Sequence, residues 1–212
     1  SHYAQAFADW AAEHDLHFAL PHFRGCSGEL NRGPRAYHSG DHQEIDWLLQ
    51  RLRQEHQAQQ GQHLMAAGVS LGGNALMRWA AEHGLHAQRK VDAIASICSP
   101  LDLTQSGQAI GQGFNRQVYT RMFLRSMKPK ALAKLAQHPG LFDRERLLAA
   151  RDLYEFDNVF TAPLHGFKNT EDYWARASAK PLMKNIAIPA LALNALNDPF
   201  VPATSLPQPQ DV

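Results

Sequence analysis

The chain has 212 residues, 44% of them hydrophobic and 19% charged, enough to bury one sizeable core and better suited to one domain with an insertion than to two full domains. With 21 Lys and Arg against 20 Asp and Glu, the formal net charge is +1, which gives no electrostatic case for nucleic acid or an acidic membrane surface. The two cysteines, Cys26 and Cys98, are too few for a disulfide framework and point to a reducing, cytoplasmic compartment, and no apolar run approaches the roughly 18 residues of a membrane span.

The opening stretch SHYAQAFADWAAEH is amphipathic rather than a secretory signal. It lacks an initial Met and already reads as helix, with Phe7, Trp10 and Ala11 on one face, so an internal portion of a longer protein is expected. Leu16 to Phe23 is an apolar run of strand length. A glycine-rich loop, FRGCSGELNRGPRAYHSG, follows it, and Arg24 is placed to anchor that loop through several donors. The next segment, DHQEIDWLLQRLRQEHQ, reads as a helix with Asp41 as N-cap, Glu44 completing a capping box, and Ile45, Leu48, Leu49 and Leu52 as its stripe. His63 to Val69 is a second strand, and GGNALMRWAAEHG is a helix ending near Gly84. Val91 to Ser99 and Ile188 to Leu196 are a third and a fourth strand. Near-continuous apolar strands alternating with helices imply an α/β fold with a mostly parallel sheet and helices on both faces.

Pro100 to Ala187 breaks that rhythm. The segment is far longer than an ordinary connection and contains helical and aromatic-rich stretches. It is expected to form a helical cap inserted into the sheet domain. The division is then 1–99 core, 100–187 cap and 188–212 core.

The chemistry centres on GVSLG, a G-x-S-x-G at Gly68 to Gly72 that follows a predicted strand and opens a predicted helix. A sharp strand-to-helix turn lifts the Ser70 hydroxyl clear of the sheet edge. The flanking glycines Gly68 and Gly72 avoid clashes, and the Leu71 N–H at the helix start points where an oxyanion would form. Ser70 is thus a candidate nucleophile; the competing reading is a serine that turns the chain and caps the next helix. A serine nucleophile needs a base and an orienting acid. Asp198, directly after the fourth strand in NALNDPFVP, is the first-ranked acid, and Asp102, in CSPLDL, the second. None of the 12 histidines follows Asp198.

Other clusters carry less. His38 and His42 sit four apart as a metal pair would, but no third ligand is evident, and a capped helix start with surface histidines fits better. Nothing marks Cys26 as activated. Phe114, Tyr119, Met122, Phe123 and Leu124 are candidates to line an acyl pocket, with ordinary packing within the cap as the simpler reading.

The chain resembles the YheT-type predicted hydrolases, the AB hydrolase 4 family of the α/β-hydrolase superfamily. The resemblance is carried by HFRGCSGELNRGPRAYHSGD, GVSLGGNAL, PLHGFKNTEDYWARASAKPLMKNIAIPAL and NALNDPFVP. It implies the α/β-hydrolase fold, Ser70 as nucleophile, Asp198 as charge-relay acid, a triad His absent from this chain and lying beyond residue 212, and a second oxyanion donor before Ser1. The expected activity is hydrolysis of carboxylic esters, such as short- or medium-chain acyl or lipid esters, with a small-molecule substrate of apolar acyl group. No metal or organic cofactor is implied. Acyl transfer to an alcohol and a non-catalytic binding module are the alternatives. In that fold a strand from before Ser1 lies between Leu16–Phe23 and His63–Val69. An open slot is therefore expected there, and residues 1–212 alone are expected to be neither stable nor active.

Overall fold

The computed structural model of the protein describes residues 2–212. Helix α1 (His2–Glu13) leads into an extended segment and the glycine-rich loop, and α2 (His42–Ala58) follows. Asp41 caps α2 by accepting the Glu44 N–H at 3.3 Å. Only this half of the predicted capping box forms, because the Glu44 carboxylate is taken by Arg24 at 3.1 Å. The same ion pair ties the glycine-rich loop to the start of α2, the anchoring role expected of Arg24.

Three strands form one parallel sheet in the order β1 (Met65–Val69), β2 (Ala93–Ile97), β3 (Ala190–Leu193). Leu16–Phe23 is not a strand. It runs extended with no ladder partner, and Leu16, Phe18 and Leu20 remain 42–47% exposed. Apolar content makes a strand only where a neighbouring backbone offers hydrogen bonds; β1 is paired on its β2 side alone, and no described strand bridges from it to this segment.

Helix α3 (Leu71–His83) follows β1 and packs across β1 and β2. Its buried Leu76, Met77, Trp79 and Ala80 meet Val91, Ile94, Met183 and Ile188 in the main core. The alternation of a half-buried strand is evident in β2, where Ile94 and Ser96 are buried toward α3. The register puts Met65, Leu191 and Leu193 on the opposite face, each more than half exposed.

Between β2 and β3 every regular element is helical. These are α4 (Leu103–Ile110), α5 (Gly113–Asn115), α6 (Arg121–Gln137), α7 (Arg144–Ala149), α8 (Leu153–Phe156), α9 (Ala162–Leu164) and α10 (Thr170–Ala177). Their own core gathers Leu124, Ala131, Leu147, Phe156 and Phe160. A smaller cluster of Leu103, Ala162, Tyr173 and Trp174 lies around α4 and α10. No described helix is long and apolar enough to cross a membrane.

Candidate active site

Ser70 stands alone between β1 and α3, with φ +53° and ψ −124°. A residue with a Cβ avoids this region, and its cost is borne only where the surroundings impose it. Here the surroundings do impose it. The Ser70 N–H extends the ladder by donating to the Ile97 carbonyl at 2.9 Å, while its own carbonyl accepts from the Gly73 N–H at 3.0 Å. The last residue of a strand and the first carbonyl of a helix are thus joined within one residue. The side chain is exposed and makes no capping hydrogen bond, so capping is not what the hydroxyl does.

The turn closes because two glycines let the strand and helix touch. A Cβ at Gly68 would lie 2.5 Å from the Gly72 carbonyl oxygen, and one at Gly73 would lie 2.0 Å from Ser99 Oγ and 2.8 Å from the Gly68 oxygen. Gly72, expected to relieve a clash, has only the Phe23 ring nearby, at 3.6 Å. The tight pair is therefore Gly68 and Gly73. At the start of α3 the Leu71 and Gly72 N–H groups donate to no described backbone carbonyl, as the first turn of any helix dictates, and the helix dipole makes that end attractive to negative charge.

Because the sheet is parallel, residues that follow its strands gather at one edge. Ser70 follows β1, Asp102 follows β2 and Asp198 follows β3. With β2 between them, the ends of β1 and β3 are two strand spacings apart, about 10 Å. The two acids are occupied differently. Asp102 is the N-cap of α4, accepting from the Gln105 N–H at 3.1 Å with one oxygen and from Gln105 Nε2 at 3.2 Å with the other. Asp198 is half-buried, and its Oδ1 accepts from the Phe200 and Val201 N–H groups at 2.8 and 3.3 Å. Its Oδ2 accepts nothing from the described residues. The helical segment between β2 and β3 holds this loop: Asn115 Nδ2 donates to the Pro199 carbonyl at 2.7 Å, and Tyr119 meets the Phe200 ring edge-on at 4.6 Å.

No described histidine hydrogen-bonds Ser70 or Asp198. His38 is buried; its Nδ1 accepts the Gly40 N–H at 3.2 Å and its ring lies 4.5 Å from that of His165. Burial, then the neighbouring His165, pushes its pKa down to about 3. The expected surface character of His38 is thus wrong: Tyr173 and Phe167 pack edge-on against it and leave it in the interior. Among the described residues no three His, Cys, Asp or Glu side chains converge as a metal site. Cys26 and Cys98 are free thiols. The proposed acyl-pocket set divides: Phe114 meets Tyr119 at 6.3 Å, and Tyr119 and Phe123 meet the Phe200 ring at 4.6 and 6.2 Å, whereas Met122 is 54% exposed and Leu124 is buried in the core of the helical segment.

Three polar residues were not singled out in the sequence. Asn74 is fully buried; its amide donates to the Ser39 and Ala177 carbonyls at 3.0 and 2.9 Å, and its Oδ1 accepts the Ala179 N–H at 3.0 Å. It joins the start of α3 to the loop before α2 and to the end of α10. Lys134, 2% exposed on α6, donates to the Asn31 and Gly33 carbonyls at 2.5 and 2.9 Å. His165 contacts the Thr161 and Ala36 carbonyls at 2.7 and 2.8 Å. Lys134 and His165 tie the glycine-rich loop to the helical segment between β2 and β3. Asn74 had a signal, its place beside the motif in LGGN; Lys134 and His165 look like any polar residue of an amphipathic segment.

A parallel sheet whose first strand breaks at a positive-φ serine into a helix, with an acid after a later strand, defines the class, and the α/β hydrolase fold model matches residues 2–211: the chain belongs to the α/β hydrolase fold family. It is 36% identical to YheT of Escherichia coli (strain K12), whose name assigns it provisionally to the esterases, over 100% of this chain and 61% of that protein. The resemblance to YheT-type proteins holds on that measure. The chain is also 26% identical to a phospholipase, ABHD3 of Mus musculus, over 87% of this chain and 44% of that protein. It is 26% identical to a monoacylglycerol lipase of Saccharomyces cerevisiae (strain ATCC 204508 / S288c), over 89% and 42%. The chain therefore spans less than two thirds of the length of each of these curated relatives. No solved structure matches it.

Proposed function

We propose that the protein is a serine hydrolase that cleaves carboxylic esters through an acyl-enzyme on Ser70. The observation that carries this reading is the backbone of Ser70: a strained, positive-φ turn holds an exposed hydroxyl that does no structural work. Strain without a structural return is what a nucleophile position costs.

In this reading Ser70 Oγ attacks the ester carbonyl as a histidine takes its proton, and the carbonyl oxygen becomes an oxyanion. The Leu71 N–H at the head of α3 donates to the oxyanion. Asp198 Oδ2 holds the imidazole in the right tautomer and stabilises its cation, while Oδ1 stays bound to the loop. The alcohol leaves with the histidine's proton; the histidine then activates water, which releases the acid. Each step is carried by protein groups and water. The names of the relatives, two of them lipid-directed, favour an acyl ester with an apolar chain.

The test is turnover of a short-chain p-nitrophenyl ester by the full-length protein. Ser70→Ala is expected to abolish it and Asp198→Asn to lower kcat by roughly 10²–10⁴-fold. Asp102→Asn, which keeps an N-capping oxygen, is expected to leave stability nearly unchanged and kcat within about twofold. Full activity in Asp198→Asn with loss in Asp102→Asn would reverse the choice of acid.

A further inference from the structure

We infer that the outer face of α6 is a binding groove for a phosphate-headed, single-chain amphiphile. The groove, of about 710 Å³, is lined by Arg116, Arg121, Arg125, Lys128 and Arg151, over a floor that includes Leu124 and Leu132. Its volume falls within the usual range of ligand sites, about 300–1,000 Å³.

The pattern is built into the helix. Arg121, Leu124, Arg125, Lys128 and Leu132 recur at spacings of three and four, which stacks them on one face. An ordinary solvated face mixes both signs of charge, and this groove is lined by five cations and no carboxylate. The only described ion pair among the five is Arg116 with Asp152, at 3.5 Å. The Glu155 carboxylate accepts the Arg151 backbone N–H at 2.6 Å. Within a chain of net charge +1, this is a local concentration that the overall balance conceals.

The cations are also differently prepared. Lys128 is half-buried, and its ammonium is pinned by the Leu148 and Ala150 carbonyls at 2.7 and 2.6 Å, which leaves one N–H to donate. Arg121, Arg125 and Arg151 are exposed, and the Arg121 and Arg125 guanidiniums make no described hydrogen bond or ion pair. Guanidinium forks match phosphate oxygens two at a time, and several positive charges favour a dianionic head over a carboxylate. Beside them, Leu124, Leu132, Leu148 and Pro129 supply apolar lining for a chain. The inference stands on the cap alone and does not depend on the role of Ser70.

The experiment is calorimetric titration of the full-length protein with dodecyl phosphate below its micelle threshold. Inorganic phosphate, dodecanoate, dodecanol and vesicles of neutral lipid doped with an anionic phospholipid are the parallel arms. Dodecyl phosphate is expected to bind at least about tenfold more tightly than every other soluble probe, and to weaken as salt rises from about 50 to 300 mM. The double variant Arg121→Gln, Arg125→Gln, which removes no described contact, is expected to lose at least about tenfold in affinity with an unchanged thermal melt. Equal binding of inorganic phosphate would make this a free-anion site, and equal binding of dodecanol a plain apolar groove. Binding to anionic vesicles without binding of the monomer would make it a membrane-contact face. Each of these overturns the inference, as does salt-independent binding by the unmodified protein, a result that requires no variant to fold.

Discussion

At the scale of single residues, the geometry around Ser70 rests on glycines whose roles are unequal. Gly73→Ala drives a Cβ against Ser99 Oγ and the Gly68 carbonyl. The hydroxyl can rotate away; the carbonyl cannot. A loss of roughly 1–3 kcal/mol is expected in denaturant unfolding, with a displaced Ser70. Gly72→Ala meets only the Phe23 ring and is expected to stay within about 0.5 kcal/mol; equal losses at both sites would contradict the described turn. Two buried groups set a pH signature. His38, held near 3 by burial and by His165, is neutral when folded, so the unfolded chain binds the extra proton and stability is lost as pH falls below about 6.5. Asp157, buried, is pushed up to about 6 by burial, against the hydrogen bonds from Thr161 and Trp174. Its sign is opposite: the folded state holds the proton, and stability is lost as pH rises from about 4 through 6. The two slopes oppose each other between about pH 4 and 6, which leaves a shallow profile there. Asp157→Asn removes one of them, and its stability is expected to fall with acidification by roughly 1 kcal/mol per pH unit across that window. A profile as flat as that of the unmodified protein would show that His38 carries no such shift.

At the scale of elements, the sequence was most legible where periodicity and local chemistry agree. The α2 stripe with its Asp41 cap, the three paired strands, the break at GVSLG and the helical run between β2 and β3 could all be read in advance. Leu16–Phe23 could not, because a strand is a property of two backbones and composition reports only one. The interior position of His38 was hidden for a similar reason: its partners His165, Phe167 and Tyr173 are more than a hundred residues away. Long-range polar ties hold the glycine-rich loop against the helical segment between β2 and β3. Lys134 makes four hydrogen bonds to Asn31, Gly33 and Gln137 from a buried position. Lys134→Met strands those acceptors, and a loss of roughly 3 kcal/mol is expected. Amide hydrogen exchange is expected to rise in residues 25–36 while α3 stays protected; uniform protection in both segments would mean that the lysine does not clamp the loop.

At the scale of the whole molecule, buried polar contacts join the main core to the cluster around α4 and α10. Asn74 donates to the Ser39 and Ala177 carbonyls, Ser178 Oγ accepts the Leu103 N–H at 2.9 Å, and the Tyr173 hydroxyl accepts the Ser39 N–H at 3.0 Å. Ser70 with its helix terminus and Asp198 lie at one sheet edge, and the helical segment between β2 and β3 holds the Asp198 loop through Asn115 and Tyr119. The central claim is that Ser70 is the nucleophile of that edge. Its most direct measurement is intact-mass and peptide mass spectrometry of the folded full-length protein after exposure to a fluorophosphonate. The account predicts a single adduct on the peptide bearing Ser70, absent in Ser70→Ala; an unlabelled folded protein, or an adduct that survives in Ser70→Ala, would contradict it.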